Sequence, residues 1–266
     1  MKYVLVTGAY GGMGEKTVQE LVRRGYFVFA LDKKVGETEE NVMPVQADIT
    51  DKESVRAAFE RVGQVCDELF AIVHFAGVYM LDSLVEMDEK EFEKIFQINL
   101  FGAFYINKIF LPLLKAGSKI LLTTSELAPL DPLPFTGVYA VTKSALDKYA
   151  YSLRMELQLL GISVSVLRAG AVETGMLGAS TAALERFCEK TSLYPVNAER
   201  FRKIVGSVEA KSVPPQKIAK KAAHVLGKRA PKFVYAVNRN KLLLLLNVLP
   251  KRVQCAVIKR ILKPKK

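Results

Sequence analysis

Residues that form disulfides or metal sites are scarce in this chain of 266 residues, which has three cysteines and two histidines. Cys66, Cys188 and Cys255 are odd in number and far apart, so a disulfide framework is excluded and a reducing compartment is expected. His74 and His224 cannot complete the cysteine and histidine spacing of a zinc site. The sequence therefore predicts a cytoplasmic protein with no bound metal.

The sequence also lacks a long hydrophobic run. The apolar run at residues 242–246 is interrupted by Asn247 and followed by Pro250, and it is far shorter than the ~20 residues of a transmembrane helix. At the other end, the residues from Met1 to Gly8 enter a strand at once, which leaves no room for a secretory signal. We expect no segment that crosses a membrane.

Acidic residues are missing from one region of the chain. The last 56 residues contain 16 of the 39 lysines and arginines and none of the 27 aspartates and glutamates. The net charge of +12 therefore originates in this tail, while the preceding residues are slightly acidic. Such a division indicates a body and a tail with different partners.

Seven apolar segments of strand length alternate with segments of helical period. Their hydrophobicity is nearly continuous, which is typical of parallel strands covered by helices on both faces. Strands are expected at 3–7, 27–31, 42–46, 70–75, 119–123, 162–167 and 233–237, and helices at 14–24, 52–62, 88–114, 138–160, 182–189, 198–208 and 215–226. With no repeat or linker, this pattern predicts one α/β domain over 1–266, a doubly wound (Rossmann) parallel sheet of about seven strands. Residues 239–266 form a basic extension within it.

A glycine-rich loop, Thr-Gly-Ala-Tyr-Gly-Gly-Met-Gly at residues 7–14, joins the first strand to the first helix. Gly8 suits the tight turn, Gly12 lets a pyrophosphate approach the positive helix end, and Gly14 permits close helix packing. The pattern predicts a dinucleotide site. Its expected contacts in the loop are Gly8, Tyr10, Gly11, Gly12, Met13 and Gly14.

Asp32, at the end of the second strand, bears on the choice of nicotinamide cofactor. A carboxylate there accepts hydrogen bonds from a ribose 2′-hydroxyl and repels a 2′-phosphate, so NAD(H) is favoured. Lys33 and Lys34 could neutralise Asp32 and attract that phosphate, so NADP(H) stays possible. Asp48, followed by Ile49, is expected to contact the adenine, the alternative for Asp48 being a helix cap.

Tyr139 and Lys143 are four residues apart on a predicted helix, so both side chains project from one face. A tyrosine of pKa ~10 is a poor acid or base at neutral pH, but an adjacent ammonium favours its phenolate. The pair is therefore expected to exchange a proton with a substrate oxygen while the cofactor exchanges a hydride with the carbon. The alternative is a surface tyrosine and lysine on an amphipathic helix.

Three hydroxyl residues, Thr123, Thr124 and Ser125, end the fifth strand, at the sheet edge where doubly wound folds bind ligands. Any of them could polarise a substrate carbonyl, and strand register alone does not choose among them. Asn99 shares a helical stripe with Phe92 and Ile95, where a polar amide needs a buried partner.

In this order, the glycine-rich loop, Asn99, Ser125, the run Tyr-Ala-Val-Thr-Lys at residues 139–143 and the segment 170–174 resemble the short-chain dehydrogenase/reductase family over nearly the whole chain. The resemblance implies an NAD(P)-dependent oxidoreductase with Asn99, Ser125, Tyr139 and Lys143 as catalytic residues. In the family the matching asparagine holds a water of the proton relay; the alternative for Asn99 is an amide that satisfies a helix bend. The further cofactor contacts that the resemblance implies are Lys33, Ala76, Gly77, Tyr139, Lys143, Gly170, Val172 and Thr174.

Two segments depart from the family pattern. His74-Phe75 replaces the usual pair of asparagines, and we interpret His74 as a packed core histidine. Ala169 replaces the proline that usually precedes Gly170, so we expect a less rigid turn near the nicotinamide. The family also implies a homodimer or homotetramer.

Apolar residues after the sixth strand predict an apolar substrate cleft, as for a steroid, retinoid or fatty acyl ketone or alcohol. They are Met176, Leu177, Leu184, Phe187 and Leu193. The alternatives are that they only cover the core, that the substrate is a 3-oxoacyl thioester on an acidic carrier, or that the chain is a non-catalytic NAD sensor.

Residues 251–263 form a basic amphipathic helix when plotted at 100° per residue. Val253, Val257, Ile258, Ile261 and Leu262 occupy one half, and the basic residues lie mostly opposite. Together with the preceding apolar run Leu242–Leu246, the pattern predicts peripheral contact with an anionic membrane; the alternatives are an acidic carrier protein and packing of the apolar face on the body or another subunit. Nucleic acid is not expected, because stacking aromatics are absent after Tyr235.

Overall fold

The computed structural model describes residues 1–209 and 212–263, without the side chains of residues 177 and 206–209. The described residues form seven strands: β1 Lys2–Thr7, β2 Tyr26–Asp32, β3 Val42–Gln46, β4 Leu69–His74, β5 Leu114–Ser125, β6 Ser163–Ala169 and β7 Val234–Val237. The α-helices in the same ranges are α1 Gly12–Arg23, α2 Lys52–Gly63, α3 Glu89–Phe96, α4 Gly102–Phe110, α5 Gly137–Leu157, α6 Gly175–Lys190, α7 Pro195–Glu209, α8 Pro215–Leu226, α9 Lys241–Val248 and α10 Lys251–Leu262.

The strands form one parallel sheet in the order β3-β2-β1-β4-β5-β6-β7. The predicted doubly wound α/β fold is therefore confirmed. The strand order reverses between β1 and β4, where the chain leaves β1 first toward β2 and later returns to β4 on the other side. In such sheets, ligands bind in the crevice beyond the carboxyl ends of the strands at this reversal.

Both faces of the sheet are covered by apolar cores, as the continuous hydrophobicity of the strands predicts. On one face, Phe29 and Ile120 pack with Ile106 of α4 and Leu146 of α5. On the other, strand residues pack against α1 and α8, which also contact each other. The two cores fix the strand ends that carry the site.

The predicted single helix over 88–114 is wrong in its interior. A π-helical segment, Gln97–Phe101, separates α3 from α4, and a 3₁₀ turn at Leu111–Leu113 ends the helical stretch. Strand β5 then begins at Leu114 rather than at 119. Helical apolar periodicity continues through a π segment with little change, so the pattern did not reveal the insertion.

The basic extension from residue 239 onward contains α9 and α10. The described part of the chain contains no helix long and apolar enough to cross a membrane. Helix α10 packs against α7, where Leu262 is buried and Ile258 is half-buried. Asn197 of α7 donates a hydrogen bond to the Leu262 carbonyl at 2.7 Å. Part of the predicted membrane-facing stripe is therefore covered by the body, as in the alternative considered for it. Residues 264–266 lie outside the described residues.

Candidate active site

A pocket opens at the carboxyl edge of the sheet, next to the reversal in strand order. Its floor includes Ser125 of β5 with Tyr139 and Lys143 of α5, and one side includes Met13 of the glycine-rich loop. Leu243 of α9 is part of the wall. The strand ends, α5 and the C-terminal helices thus converge on one cavity.

The glycine-rich loop is packed so closely that side chains would not fit. Gly8 has a φ of +68°, and a Cβ there would lie 2.5 Å from the Ala76 nitrogen. A Cβ on Gly14 would lie 2.0 Å from the Gly8 carbonyl oxygen, and one on Gly12 would lie 2.8 Å from Cβ of Thr174. The loop, the end of β4 and the segment after β6 therefore form one cradle.

This cradle fits a dinucleotide phosphate. Helix α1 begins at Gly12, and no side chain caps its first turn. Exposed N–H groups at a helix start attract phosphate, and the bare glycine backbone lets it approach. Gly11 is exposed beside this helix end.

Asp32 is held at the edge of the loop by two backbone donors. The Tyr10 N–H donates to Oδ2 at 3.1 Å and the Lys33 N–H donates to Oδ1 at 2.7 Å. The Lys33 ammonium lies elsewhere, 2.7 Å from Oδ2 of Asp48. The lysine charge that was expected to neutralise Asp32 is therefore paired with Asp48.

The alternative interpretation of Asp48 as a helix cap is wrong. Asp51 caps α2 by accepting a hydrogen bond from the Glu53 N–H at 3.0 Å. Asp48 instead accepts hydrogen bonds from the Thr50 N–H at 3.0 Å and hydroxyl at 2.7 Å. Although burial opposes it, Lys33 and Thr50 lower the pKa of the Asp48 carboxyl. Its neighbour Ile49 fills the space left by Gly102 of α4.

Tyr139 lies in the first turn of α5 and is 8% exposed. Its ring lies 4.8 Å from that of Tyr79, measured between centroids. Burial raises the pKa of Tyr139 above its ordinary value, and the hydrogen bond with Ser125 offsets this only partly. Without other groups, the chain therefore keeps this phenol neutral.

Lys143 is 5% exposed, one helical turn after Tyr139. Its ammonium donates to the Thr123 carbonyl at 3.2 Å and lies 5.8 Å from the Tyr139 ring centroid. Burial lowers the pKa of Lys143 to about 8. In the chain alone, burial raises the pKa of Tyr139 and lowers that of Lys143. The expected phenolate depends on the positive charge of a nicotinamide as well as on the Lys143 ammonium, and it stays a prediction.

Gly77 follows β4 and gives Lys143 and Asn99 their space. A Cβ on Gly77 would lie 3.2 Å from Oδ1 of Asn99 and 3.3 Å from Nζ of Lys143. Ala76, one residue earlier, contacts the glycine-rich loop at Gly8. The two residues thus join the predicted cofactor loop to the predicted catalytic residues.

Asn99 lies in the middle of the π-helical segment and is 1% exposed. Its Oδ1 accepts from the Val78 N–H at 2.8 Å, while its Nδ2 donates to the Val78 carbonyl at 3.0 Å and to Oγ1 of Thr142 at 3.1 Å. The amide thus ties the loop after β4 to α5. This geometry supports a positioning role for the side chain.

The register of β5 separates the three hydroxyls that the sequence left open. Ser125 hydrogen-bonds Tyr139 and accepts from the Leu127 N–H at 3.1 Å. Thr124 donates to Oδ1 of Asp147 at 3.2 Å. Thr123 lines the pocket, and its buried Oγ1 has no hydrogen-bond partner among the described residues.

A buried ion pair behind the pocket was missed by the sequence analysis. Arg168 of β6 binds both carboxylate oxygens of Asp147, from Nε to Oδ1 at 3.0 Å and from Nη2 to Oδ2 at 2.7 Å. Asp147 lies one turn beyond Lys143 on α5. The signal was available: Tyr139, Lys143 and Asp147 recur at intervals of four, and an arginine within a buried strand requires a partner.

His74 is a packed core histidine, as interpreted from the sequence. Its Nε2 donates to Oδ1 of Asn107 at 2.9 Å, which leaves Nδ1 to accept from the Thr7 hydroxyl at 3.5 Å. Burial lowers its pKa to about 4, so the ring is neutral at pH 7.

The segment after β6 returns to the glycine-rich loop. Gly170 lies against the backbone of the chain after β7: a Cβ there would lie 1.8 Å from the Asn238 carbonyl oxygen. Val172 is buried and pairs with Val213, and Thr174 contacts Gly12. The turn that lacks the usual proline is thus held by close backbone packing.

An aromatic cluster is formed by Phe135, Phe187, Tyr194 and Phe201, of which Phe201 lines the pocket. Phe135 is its centre, with ring centroids at 4.5 Å from Phe187 and 5.5 Å from Phe201. Phe135 adopts a φ of +67°, which is unusual for a bulky residue and is maintained by this packing.

Of the residues predicted to line an apolar cleft, Met176 lines the pocket, and Leu184 and Phe187 are buried beside it. Leu193 is 61% exposed, so its assignment to the cleft was wrong. The side chain of Leu177 lies outside the described residues.

Glu126 is a pocket residue that the sequence analysis did not single out. Its side chain is 9% exposed, and its Oε2 accepts from the Asn240 N–H at 2.5 Å, just before α9. Burial raises the pKa of its carboxyl, and Asn240 and Arg239 oppose this effect. The pocket floor is therefore joined directly to the C-terminal helices.

Residues 2–185 match the family model of the short chain dehydrogenases. The chain is also 33% identical over 191 residues to estradiol 17-beta-dehydrogenase 2 of Mus musculus, an alignment that covers 66% of this chain and 50% of the relative. The chain thus spans about half the length of this relative.

Two solved structures share the fold. A 3-ketoacyl-(acyl-carrier-protein) reductase from Brucella melitensis, complexed with NADH, has a TM-score of 0.74 at 21% identity, covering 90% of this chain and 98% of that chain. A short chain dehydrogenase from Burkholderia cenocepacia, in complex with NADP, has a TM-score of 0.74 at 20% identity, covering 99% of this chain and 100% of that chain.

The family match runs from β1 into α6. It includes the glycine cradle, Ser125, and the helix that carries Tyr139 and Lys143. This chain therefore belongs to the short chain dehydrogenase family, enzymes that interconvert CH–OH and C=O groups with NAD or NADP.

Proposed function

We propose that this protein interconverts an alcohol and a ketone on an apolar substrate, with NAD(H) as cofactor and Tyr139 as the acid and base. The observation that carries the proposal is the placement of a buried tyrosine hydroxyl, hydrogen-bonded to Ser125, in a largely apolar pocket next to the glycine cradle. A bound nicotinamide supplies the hydride. The residues of the chain would orient the substrate and move the proton.

The proton transfer is assigned to the Tyr139 hydroxyl. Because burial raises its pKa, Tyr139 is a neutral phenol at pH 7 and can donate its proton to a developing alkoxide. Ser125, hydrogen-bonded to Tyr139, would hold the substrate oxygen beside it. Lys143 would bind a ribose hydroxyl and favour the phenolate after transfer, and Asn99 would fix α5 through Thr142.

The proposed cofactor contacts follow the cradle. The α1 N-terminus with Gly11, Gly12 and Met13 would hold the pyrophosphate, and Val172 and Thr174 the nicotinamide end. Asp48 and Ile49 would contact the adenine.

The preference for NAD(H) is proposed from the charges around Asp32. Its carboxylate is fixed by two backbone N–H groups, and the neighbouring lysine ammonium is paired with Asp48. A 2′-phosphate would therefore meet the Asp32 carboxylate, with the exposed Lys34 as the remaining neighbouring cation. We expect Asp32→Asn to raise the ratio of NADPH to NADH turnover about tenfold. The control is Asp67→Asn, at an exposed aspartate before the start of β4, on the opposite edge of the sheet.

The apolar substrate class is supported by the aromatic cluster and by Leu243 in the pocket wall. The relative at 33% identity is named for a steroid, estradiol, which is an apolar alcohol. A steroid-sized or acyl-chain ketone would gain more from burial in such a pocket than a small polar one.

The experiment is NADH oxidation by the purified protein over a panel of ketosteroids, retinal, 3-oxoacyl thioesters and small polar ketones. Turnover of an apolar class is expected, with Tyr139→Phe reducing kcat at least about a hundredfold while the NADH dissociation constant is unchanged. Tyr151→Phe, on the exposed side of the same helix, is the control. Unaltered turnover in Tyr139→Phe contradicts the mechanism, and turnover of polar ketones alone contradicts the substrate class.

A homo-oligomer is proposed from exposed apolar side chains on α4 and α5. Phe104 is 38% exposed on α4, and Tyr151 and Met155 are 52% and 50% exposed on α5. The two helices are neighbours, since Phe104 packs edge-on against Tyr149. Light scattering should give a dimer or tetramer mass that Phe104→Ser with Tyr151→Ser reduces.

A further inference from the structure

Helix α9 is apolar on both of its sides. Leu243 faces inward and lines the pocket. On the outer side, Leu242, Leu245 and Val248 are 69%, 65% and 81% exposed. A helix in contact with water on one side normally presents polar residues there, so this outer face requires a partner.

The helix is fixed to the body in this orientation. Its N-terminus is joined to the pocket by the hydrogen bond from the Asn240 N–H to Glu126, and the Asn240 side chain caps its first turn. At its other end, Oδ1 of Asn247 accepts from the Asp131 N–H at 2.6 Å. The exposed residues are therefore on the outer wall of a docked helix.

Basic residues adjoin this face. Only Leu249 and Pro250 separate α9 from α10. On α10, Arg252, Lys259 and Arg260 are exposed and fall within an arc of about 100°, opposite the buried positions Gln254 and Leu262. The basic side of α10 thus points away from the body.

We infer that the outer face of α9, together with the basic side of α10, docks on an anionic lipid bilayer and sets the pocket against it. Leucine and valine side chains would enter the acyl boundary while lysine and arginine bind acidic headgroups. The last 56 residues contain no acidic residue that would repel such a surface. The binding surface is thus centred on α9, which contains the predicted run Leu242–Leu246, whereas the predicted stripe of α10 is partly covered by α7.

Under the proposed function, contact between α9 and the bilayer would help an apolar substrate to reach the pocket. Leu243 in the pocket wall and Leu242 and Leu245 in the bilayer belong to one turn of helix. An apolar substrate could then pass from the acyl region to the pocket across a single helix. Bilayer binding itself does not require that reaction.

The test is flotation of the whole protein with two kinds of vesicle, phosphatidylcholine alone and phosphatidylcholine with phosphatidylserine in equal parts. We expect binding to the anionic vesicles that decreases as salt is added. The triple variant Leu242→Ser, Leu245→Ser, Val248→Ser should reduce partitioning about a thousandfold, since loss of one embedded apolar side chain corresponds to roughly tenfold. Arg252→Gln with Lys259→Gln and Arg260→Gln should remove the preference for the anionic vesicles.

The control variant is Leu159→Ser with Leu160→Ser, which removes two other exposed leucines, 82% and 58% exposed, at the end of α5. It should bind vesicles like the wild type. No vesicle binding by the wild type, or undiminished binding by the triple variant, overturns the inference. A lower oligomer mass in the triple variant by light scattering, without vesicle binding by the wild type, would assign the face to a second copy and also overturn it.

NADH binding, followed by fluorescence, should be the same in all three variants, which verifies that they fold. Flotation needs no turnover, so the two proposals can fail separately. Vesicle binding without any turnover contradicts the proposed function and leaves the docking surface in place. Turnover without vesicle binding contradicts the docking surface and leaves the proposed function in place.

Discussion

The two sides of the pocket differ in what one added methyl group would meet. On the cofactor side, a Cβ at Gly14 would lie 2.0 Å from a carbonyl oxygen, and one at Gly8 2.5 Å from a backbone nitrogen. On the substrate side, Gly175 and Gly178 of α6 have no atom within 4 Å of such a Cβ. The phosphates of a cofactor require the backbone of the glycine cradle at a defined position. A substrate pocket requires only apolar side chains, and one apolar residue can replace another there. This difference explains why the sequence predicts the cofactor loop but does not identify the substrate.

The largest effect is expected from adding that methyl group to the cradle. Gly14→Ala places Cβ against the backbone of Gly8, and the loop must move. We expect the NADH dissociation constant to rise about a hundredfold, which corresponds to roughly 3 kcal/mol. Fluorescence titration with NADH measures it. The matched variant Gly178→Ala, with open space around its Cβ, should bind NADH like the wild type. Equal NADH dissociation constants for Gly14→Ala and Gly178→Ala would contradict the difference between the cofactor side and the substrate side.

Lys143 lies between the cofactor side and the substrate side of the pocket. We expect this lysine to be required for turnover and to lower the free energy of unfolding. Its pKa is about 8 in the folded chain against 10.5 for the free side chain. Between these values the unfolded chain binds more protons, so stability rises with pH there, and below pH 8 the full burial penalty is present. Lys143→Met should therefore abolish turnover while raising the free energy of unfolding at pH 7, by at most about 3 kcal/mol.

Urea unfolding at pH 7 and pH 10 measures this effect. The variant should lose the rise in stability that the wild type shows between these pH values. Lys148→Met, an exposed lysine on the same helix, is the control and should change neither stability nor turnover appreciably. A less stable Lys143→Met protein at pH 7 would show that the hydrogen bond to the Thr123 carbonyl outweighs the burial of the charge.

On the substrate side, Phe201→Leu should affect the substrate and spare the cofactor. Phe201 is 3% exposed and packs edge-on against Phe135. Its replacement keeps an apolar wall, so we expect a loss of about 1–2 kcal/mol in stability, a KM for the apolar ketone several-fold higher and an unchanged NADH dissociation constant. Steady-state kinetics with thermal unfolding test this. A weaker NADH affinity in Phe201→Leu would show that a change in packing on the substrate side also alters the cofactor side.

Elements with a strong local signal could be predicted from the sequence. The continuous apolar strands fixed a parallel sheet, and helix α8, bounded by Pro215 and Gly227, was predicted at its observed limits. The π-helical segment around Asn99 was not, because an inserted residue in a helix hardly alters its apolar stripe. Nor were the contacts of Lys33, because the sequence does not show that a lysine next to Asp32 reaches Asp48, which follows the neighbouring strand β3.

The substrate side was harder to predict for a related reason. Leu193 and Leu184 have the same apolar character in the sequence, yet one is exposed and the other is buried. Which of them is buried depends on how α6 and α7 pack on Phe135, a residue whose positive φ has no local sequence signature. Glu126 was overlooked because its partner, the Asn240 N–H, lies more than a hundred residues away in the chain.

The smallest effect is expected at Glu126, where the pocket floor meets the C-terminal helices. Its folded pKa is raised by burial, so the ionised carboxylate destabilises the fold above the unfolded value of 4.5, and this effect disappears as the pH falls below it. Glu126→Gln keeps an oxygen that accepts from the Asn240 N–H. We expect its free energy of unfolding to exceed that of the wild type by about 1 kcal/mol at pH 7 and to equal it near pH 4, measured by urea unfolding.

Glu86 offers the opposite sign as a control. Hydrogen bonds from Thr191, Ser192 and Leu193 lower its pKa to about 2, so its ionised form stabilises the fold above the unfolded value of 4.5. Glu86→Gln should therefore lose stability at pH 7, and the loss should shrink as the pH falls from 4.5 toward 2. If both variants lost stability at pH 7, the carboxylate of Glu126 would be a stabilising anchor of α9. In that case the charge of the Glu126 carboxylate would hold the C-terminal helices in place. A hydrogen bond to a carboxyl group whose ionised form is destabilised by burial would not be enough.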